Sequence, residues 1–305
     1  MSVAALPPFA NGVTLSLDEL IYYQSQSVRW LPPARSVLSV LSGAHASRQR
    51  GRGMDFEEVR QYQQGDDIRT IDWRVTARTG KAHTKLFSED KEQAVILYID
   101  LSSSMFLGSQ YLFKSVQAAH LASVLLWTTL AKKDRLGALI DDGHTLFEHK
   151  PSALTRNGLS FLHQLAKQHN RRQTAHSEAP RSNGEVFERL KRMSPKGCQI
   201  IFLSDFVQFS EQELGQIGHL KQHNSVHLIQ LYDPLESGQT DYRGQVMASN
   251  GKHSRWFDFG SKKQKMALKA NFEQHQQRLQ RLSYRNGIPF STLSCAKPLI
   301  NQLTA

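Results

Sequence analysis

The stretch AVILYIDLSSS, residues 94–104, decides how this chain folds. Its first six residues are apolar without a break, and charged residues stand on both sides of the run (Asp90, Lys91 and Glu92 before it, Asp100 after it). A short uninterrupted apolar segment of this kind predicts a strand buried on both faces, and such a strand needs helices on both sides of its sheet.

The residues downstream supply them. Apolar periodicity predicts a helix over Gln110 to Lys132, a strand at Arg135 to Asp141, and a hairpin partner at Thr145 to His149 across an Asp-Asp-Gly turn. Helices are expected at Ala153 to Gln168 and Glu185 to Met193, a strand at Gln199 to Ser204, a helix at Glu211 to Lys221 and a strand at Val226 to Tyr232. A hairpin across Asn250-Gly251, a helix from Lys262 to Arg285 and a last strand at Phe290 to Leu293 follow. Strands alternating with helices predict βαβ units, hence an α/β, doubly wound, mostly parallel, Rossmann-like sheet.

Upstream, residues 14–41 read as a helix. Ser16 with Glu19 forms a capping box, Leu17, Leu20, Ile21 and Val28 recur near the helical period, and Pro32 and Pro33 break the pattern. Ser42 to Gly53 reads as a connector, and Met54 to Asp90 as short β pieces with turn signals at Gly65-Asp66-Asp67 and Thr79-Gly80. The expected organisation is an N-terminal helix and connector (1–50), a small β subdomain (51–93) and an α/β domain (94–305).

Composition limits the function. The chain has 305 residues, 38 Lys and Arg against 27 Asp and Glu, and a formal charge of +11. Residues 1–93 carry 12 basic and 11 acidic side chains, 94–210 carry 14 and 9, and 211–305 carry 12 and 7. A surplus spread this way lacks the basic stripe of a nucleic-acid module. Two distant cysteines, Cys198 and Cys295, argue against a disulfide framework. The start MSVAALPPFANG lacks a basic n-region, and the apolar stretch around Leu121 to Leu130 falls short of the ~20 residues a membrane span needs. The expectation is a cytoplasmic protein.

Candidate chemistry gathers at the carboxyl ends of the strands, where open parallel sheets bind ligands. Asp100, Ser102 and Ser104 follow the first central strand, and Asp205 follows a later one. An acid with hydroxyls two and four residues on can aim three oxygen donors into one cavity, an environment suited to Mg²⁺, with Mn²⁺ or Ca²⁺ as alternatives. A metal with few protein ligands keeps a position for a partner's carboxylate. No catalytic residue is expected: there is no G-x-S-x-G elbow, no phosphate-binding G-x-x-x-x-G-K-[ST] loop, and no dinucleotide fingerprint after a strand. His219 and His223 lack the Glu of an H-E-x-x-H zinc site and read as a solvated helix face.

The Asp100, Ser102, Ser104 and Asp205 set resembles the metal-ion-dependent adhesion site of von Willebrand factor A domains. More specifically, Gly51-Arg52-Gly53-Met54-Asp55-Phe56, Val59-Arg60-Gln61-Tyr62, Gly65-Asp66-Asp67-Ile68-Arg69, Ile71-Asp72-Trp73 and Ala77-Arg78 resemble the signature of the domain of unknown function 58 family, over roughly residues 45–235. That resemblance implies a von Willebrand factor A-like fold, metal-assisted protein recognition, and partnership with a MoxR-type AAA+ ATPase. The threonine usual on the second loop of the adhesion site has Ser182 as its best positional counterpart and Thr174 as runner-up, and the usual Thr-Asp-Gly is Ser204-Asp205-Phe206 here.

In the signature itself, Arg60, Arg69 and Arg74 alternate with Asp66, Asp67 and Asp72, which predicts bidentate Arg–carboxylate ties, with Trp73 covering the junction with the main sheet. Arg60, Tyr62, Gly65, Asp66, Arg69, Asp72 and Trp73 are also candidates for partner contact. The alternatives to an adaptor are a metal-dependent phosphoester hydrolase using Asp100 and Asp205, and a basic nucleic-acid-binding module.

Overall fold

The structure, a computed structural model, describes residues 5–27, 54–89, 93–174, 184–239, 242–249 and 254–303. The chain divides into two compact units, one of residues 1–42 with 93–305 and one of residues 43–92.

In the larger unit a six-stranded sheet is built from β3 (Ala94–Asp100), β4 (Arg135–Asp141), β5 (Leu146–Ser152), β6 (Gln199–Ser204), β7 (Ser225–Tyr232) and β10 (Phe290–Ser294). The strand order is β10-β7-β6-β3-β4-β5. Every pairing is parallel except the β4–β5 edge hairpin. All seven residues of β3 are buried, because each side of the sheet is covered.

The pleat divides β3 between two cores. Val95, Leu97 and Ile99 join α1 (Leu17–Ser27), α3 (Lys114–Ala131), α4 (Thr155–Thr174) and α8 (Leu299–Leu303). Ala94, Ile96 and Tyr98 join α5 (Gly184–Met193), α6 (Glu211–Lys221) and α7 (Lys262–Asn286). A short hairpin of β8 (Gln245–Ser249) and β9 (Ser254–Asp258) precedes α7, with its connecting residues 250–253 outside those described.

Helix α1 belongs to this unit, not to a separate N-terminal segment. Its expected capping box forms: Glu19 N donates to Ser16 Oγ at 3.1 Å and Ser16 N to Glu19 Oε2 at 3.3 Å. The second Glu19 oxygen lies 2.6 Å from Nε2 of the fully buried His120 on α3. Leu15, Leu20 and Tyr23 complete the contact. The expected extension of the helix to residue 41 and the connector to residue 53 lie outside the described residues.

The smaller unit is not wholly β. Strands β1 (Met54–Gln61) and β2 (His83–Glu89) pair antiparallel, but α2 (Trp73–Thr79) lies between them. The physical reason is Asp72, which caps this helix through the N–H groups of Arg74 and Val75, while Gly80 closes it at φ 70°. The same capping chemistry accounts for the carboxylates expected to tie arginines. Asp67 accepts from Arg69 N, and the remaining oxygen of Asp72 faces Lys85 Nζ at 3.5 Å. Of the expected ties, Arg60 to Asp66 forms, at 2.7 Å and through one nitrogen only, with the second nitrogen donating to Gln61 O. Trp73, expected to cover the junction with the main sheet, is 68% exposed because it occupies the first position of a solvated helix.

Candidate functional site

The parallel register brings the carboxyl ends of β3, β6 and β7 to one edge, and the sequence-selected residues converge there. Asp100 ends β3, its Oδ1 accepting from Ser102 N at 2.8 Å and its Oδ2 from Ser204 Oγ at 2.5 Å. Ser102 caps a 3₁₀ turn, Ser103–Met105, that brings Ser104 back alongside it, with the two hydroxyls 3.3 Å apart. Asp205 follows β6, with Val207 N donating to its Oδ1 at 3.0 Å and the Ser104 hydroxyl beside it. Asp100, Ser102 and Asp205 are all nearly inaccessible.

Sequence reasoning missed the counter-charge. Lys114, the first residue of α3, is fully buried and donates from Nζ to Asp205 Oδ2 and to Glu236 Oε1, both at 2.7 Å. Glu236 lies in the loop after β7, where Asp233 N holds its other oxygen at 2.9 Å. Asp233 itself accepts from Ser109 N and Oγ, Leu235 N and the Cys295 thiol. The signal was present in the sequence: Lys114 is the sole charged residue in KSVQAAHLASVLLWTTLA, a helix too apolar to lie at a surface. A lysine locked there must meet an acid inside.

The electrostatics are lopsided. Burial, then the neighbouring charges of Asp205 and Asp141, push the Asp100 carboxyl up to about 7 despite the hydrogen bonds from Ser204 and Ser102. Burial pushes Asp205 the same way, but the Lys114 ammonium outweighs it and holds Asp205 below the ordinary carboxylate range. Lys114 is displaced upward in turn, because Asp205 and Glu236 overcome its own burial. Asp141, ending the adjacent strand, is held by Tyr98 Oη and Gly143 N at 2.9 Å each. Lys114 thus bonds two of the acids, Asp205 and Glu236, while Asp100 is met by neutral donors, the Ser102 N–H and the Ser204 hydroxyl.

The Asp100 and Asp205 carboxyls with the paired hydroxyls suit a hard divalent cation, whose neighbouring ligands in an octahedral shell lie about 3 Å apart. Among the described residues there is no cluster of three or more His, Cys, Asp and Glu side chains gathered for a metal, so any such ion would rest on the serine hydroxyls as much as on acids. Ser182, the candidate second-loop ligand, lies outside the described residues, and Thr174 ends α4. Phe206, in place of the glycine of the adhesion-site pattern, takes φ 60° with its ring fully buried, a left-handed conformation that aromatic residues rarely adopt. The signature residues Arg60, Tyr62, Gly65, Asp66, Arg69, Asp72 and Trp73 fall in the smaller unit, and no helix of the described residues is long and apolar enough to cross a membrane.

A family model described as "Protein of unknown function DUF58" matches residues 58–281. The uncharacterized proteins Rv1480 of Mycobacterium tuberculosis and Mb1516 of Mycobacterium bovis are each 38% identical over 104 residues, 34% of this chain and 33% of theirs. The chain thus spans about a third of the length of these curated relatives. Among solved structures, the conserved hypothetical protein BatB from Bacteroides thetaiotaomicron aligns at 15% identity and TM-score 0.47 over 69% of this chain and 93% of that one. An uncharacterized membrane spanning protein from Vibrio fischeri aligns at 14% identity and TM-score 0.23, over 66% and 91% of the two chains.

Proposed function

The chain belongs to the DUF58 family, and from that premise and the strand-edge geometry we propose that it is a metal-assisted protein-recognition module, von Willebrand factor A-like, serving a MoxR-type AAA+ ATPase in the cytoplasm. The observation that carries the reading is the convergence of Asp100, Ser102, Ser104 and Asp205 from two strand ends, with Asp100 held by neutral donors while Lys114 is committed to Asp205 and Glu236. Ser102 and Ser104 would hold Mg²⁺ directly, and Asp100 and Asp205 directly or through water. Mn²⁺ or Ca²⁺ would suit the same oxygen donors. The bound ion supplies a Lewis-acidic position for an acidic side chain of the partner.

The protein's own residues do the remaining work. Ser204 and the Ser102 N–H orient Asp100, Val207 N and Lys114 fix Asp205, and the 3₁₀ turn presents the two hydroxyls side by side. Lys114 holds Asp205 below the ordinary carboxylate range and anchors both Asp205 and Glu236, which leaves the serine pair as the adaptable part of the site. Recognition, not turnover, is the reading we favour, since Asp205, the acid beside Ser104, is committed to the Lys114 ammonium.

The test is capture of the purified MoxR-type ATPase on immobilised protein, in Mg²⁺ and in EDTA, with calorimetric titration of Mg²⁺ alone. Asp100→Ala and the Ser102→Ala, Ser104→Ala pair should lose Mg²⁺-dependent capture while keeping the circular dichroism of the parent. Capture that persists undiminished in EDTA sinks the metal role.

A further inference from the structure

Lys114 stands where local structure gives it no support. It is the first residue of α3, and the partial positive charge at a helix N-terminus disfavours a cation there. Its side chain is fully buried, in a helix otherwise free of lysine, arginine and acids. A buried ion pair is often no more stable than apolar groups packed in the same volume, and such groups fill most of this helix. The reason for the charge lies in what it meets at the sheet edge.

What it meets has the form of a cation seat. Nζ lies 2.7 Å from Asp205 Oδ2 and 2.7 Å from Glu236 Oε1, two carboxylates brought in by separate loops, one after β6 and one after β7. Neither acid relies on the ammonium alone for its position. Val207 N holds the other Asp205 oxygen at 3.0 Å, and Asp233 N holds the other Glu236 oxygen at 2.9 Å. Asp233 is itself fixed by Ser109 and Leu235 N. Backbone donors therefore preform the pair, and each acid presents one oxygen to the same buried point. Asp205 also has the Ser104 hydroxyl beside it, so one carboxylate serves both the ammonium and the serine pair.

Two cation positions that share a carboxylate are the layout of two-metal centres, whose ions lie about 3.5–4 Å apart and clamp the attacking and leaving oxygens of a displacement. We propose that the Lys114 ammonium is the resident occupant of a second cation position, and that it limits this edge to one divalent ion, beside Asp100, Ser102 and Ser104. The first ion rests on the metal-assisted reading above, whereas the second position rests on Lys114, Asp205 and Glu236 alone. An ammonium donates hydrogen bonds but has no vacant coordination position at which to activate a water. Lys114 is on this account the specificity-determining residue of the edge: it leaves a single exchangeable position for an incoming acidic side chain instead of a hydrolytic pair of ions.

Lys114→Met keeps an unbranched side chain and removes the charge, so Asp205 Oδ2 and Glu236 Oε1 become a free acid pair. The experiment counts Mn²⁺ bound to the full chain by equilibrium dialysis and reads it by electron paramagnetic resonance. The parent should bind one ion, with the spectrum of isolated Mn²⁺. Lys114→Met should bind two, close enough for their spins to couple, and adding Glu236→Gln to that variant should return the count to one. The proposal is overturned if Lys114→Met gains no ion, if the gained ion survives Glu236→Gln, or if the parent already binds two coupled ions.

The same counts separate this proposal from the reading it extends. A parent that binds no ion, with a variant that binds one, sinks the metal-assisted recognition and leaves the role of Lys114 standing; a parent that binds one, with a variant that gains none, does the reverse. If Lys114→Met does not fold in buffer alone, it is refolded in millimolar MnCl₂ with Lys114→Gln alongside. Failure of both to fold with the ion present also overturns the proposal, because the ion should replace the missing charge.

Discussion

The two faces of the sheet are covered by helices of opposite character. On one, fifteen of the eighteen residues of α3 are buried, polar ones included, and several polar side chains answer to a partner inside. Ser115 meets His169, His120 meets Glu19, Ser123 donates to Leu20 O, and Lys114 reaches two acids. On the other, α7 runs for 25 residues and fully buries only Leu279. The sealed face spends its polar groups on the fold, whereas the open face leaves most of them in water. Sites that need fixed charges should grow from the first, and surfaces that need adaptable ones from the second.

The largest test of this contrast is Lys114→Met. Removing the ammonium strands Asp205 and Glu236, and losing one partner of a buried ion pair typically costs about 3–5 kcal/mol, which urea denaturation at neutral pH will read. A loss below about 1 kcal/mol would mean that the sealed face tolerates unpaired charge and that the contrast is superficial. Added MgCl₂ should recover part of the deficit in the variant if the strand edge accepts a divalent cation.

Acid should act next, and through the sealed side. Burial holds His169 and His227 down at about 4 from the ordinary 6.5. The folded state therefore binds fewer protons than the unfolded chain between those values, so the stability from these residues is complete above pH 6.5 and drains away as pH falls toward 4. The full effect is on the order of 3 kcal/mol per histidine. His169→Gln and His227→Gln should flatten the dependence of the urea midpoint on pH in this range, and an unchanged slope would place the acid sensitivity elsewhere.

A smaller effect separates two truncations on the open side. Phe206→Ala and Phe206→Gly both forfeit a buried ring, yet glycine accepts φ 60° freely and alanine does not. The glycine variant should be the more stable by about 1 kcal/mol, and the reverse order would argue that the loop relaxes out of the left-handed region. Smallest of all, Arg281→Ala with Arg285→Ala should shift stability by no more than about 0.5 kcal/mol, because neither side chain supports the fold. A larger loss would move α7 from the open class to the sealed one.

Most of the architecture was legible because apolar runs and capping residues report burial directly. β3, β6 and α6 follow the expected spans closely, and the β4–β5 hairpin turns at the expected acids and glycine. The short helix at Trp73 was not legible as one, because in Ile71-Asp72-Trp73 the strand-favouring neighbours outweigh a single capping aspartate. Asp100, Ser102, Ser104 and Asp205 could be placed at one sheet edge from the sequence because strand ends locate themselves in an alternating pattern. Glu236 was not, because its role depends on a loop geometry that leaves no periodic trace, and Lys114 was hidden by reading α3 for its apolar residues alone.

The position of α1 has a consequence for synthesis on the ribosome. Its backbone is held by Asn170, which accepts from Leu15 N and donates to Leu15 O across 155 residues of sequence, and its acid waits for His120. At about 5–20 residues per second, roughly 8–30 seconds pass between the emergence of this helix and that of its last partner. Throughout that interval Leu20 and Tyr23 have no finished core to enter. A segment made before its partners is thus sheltered late, and its apolar residues face water while α3 and α4 are still being made.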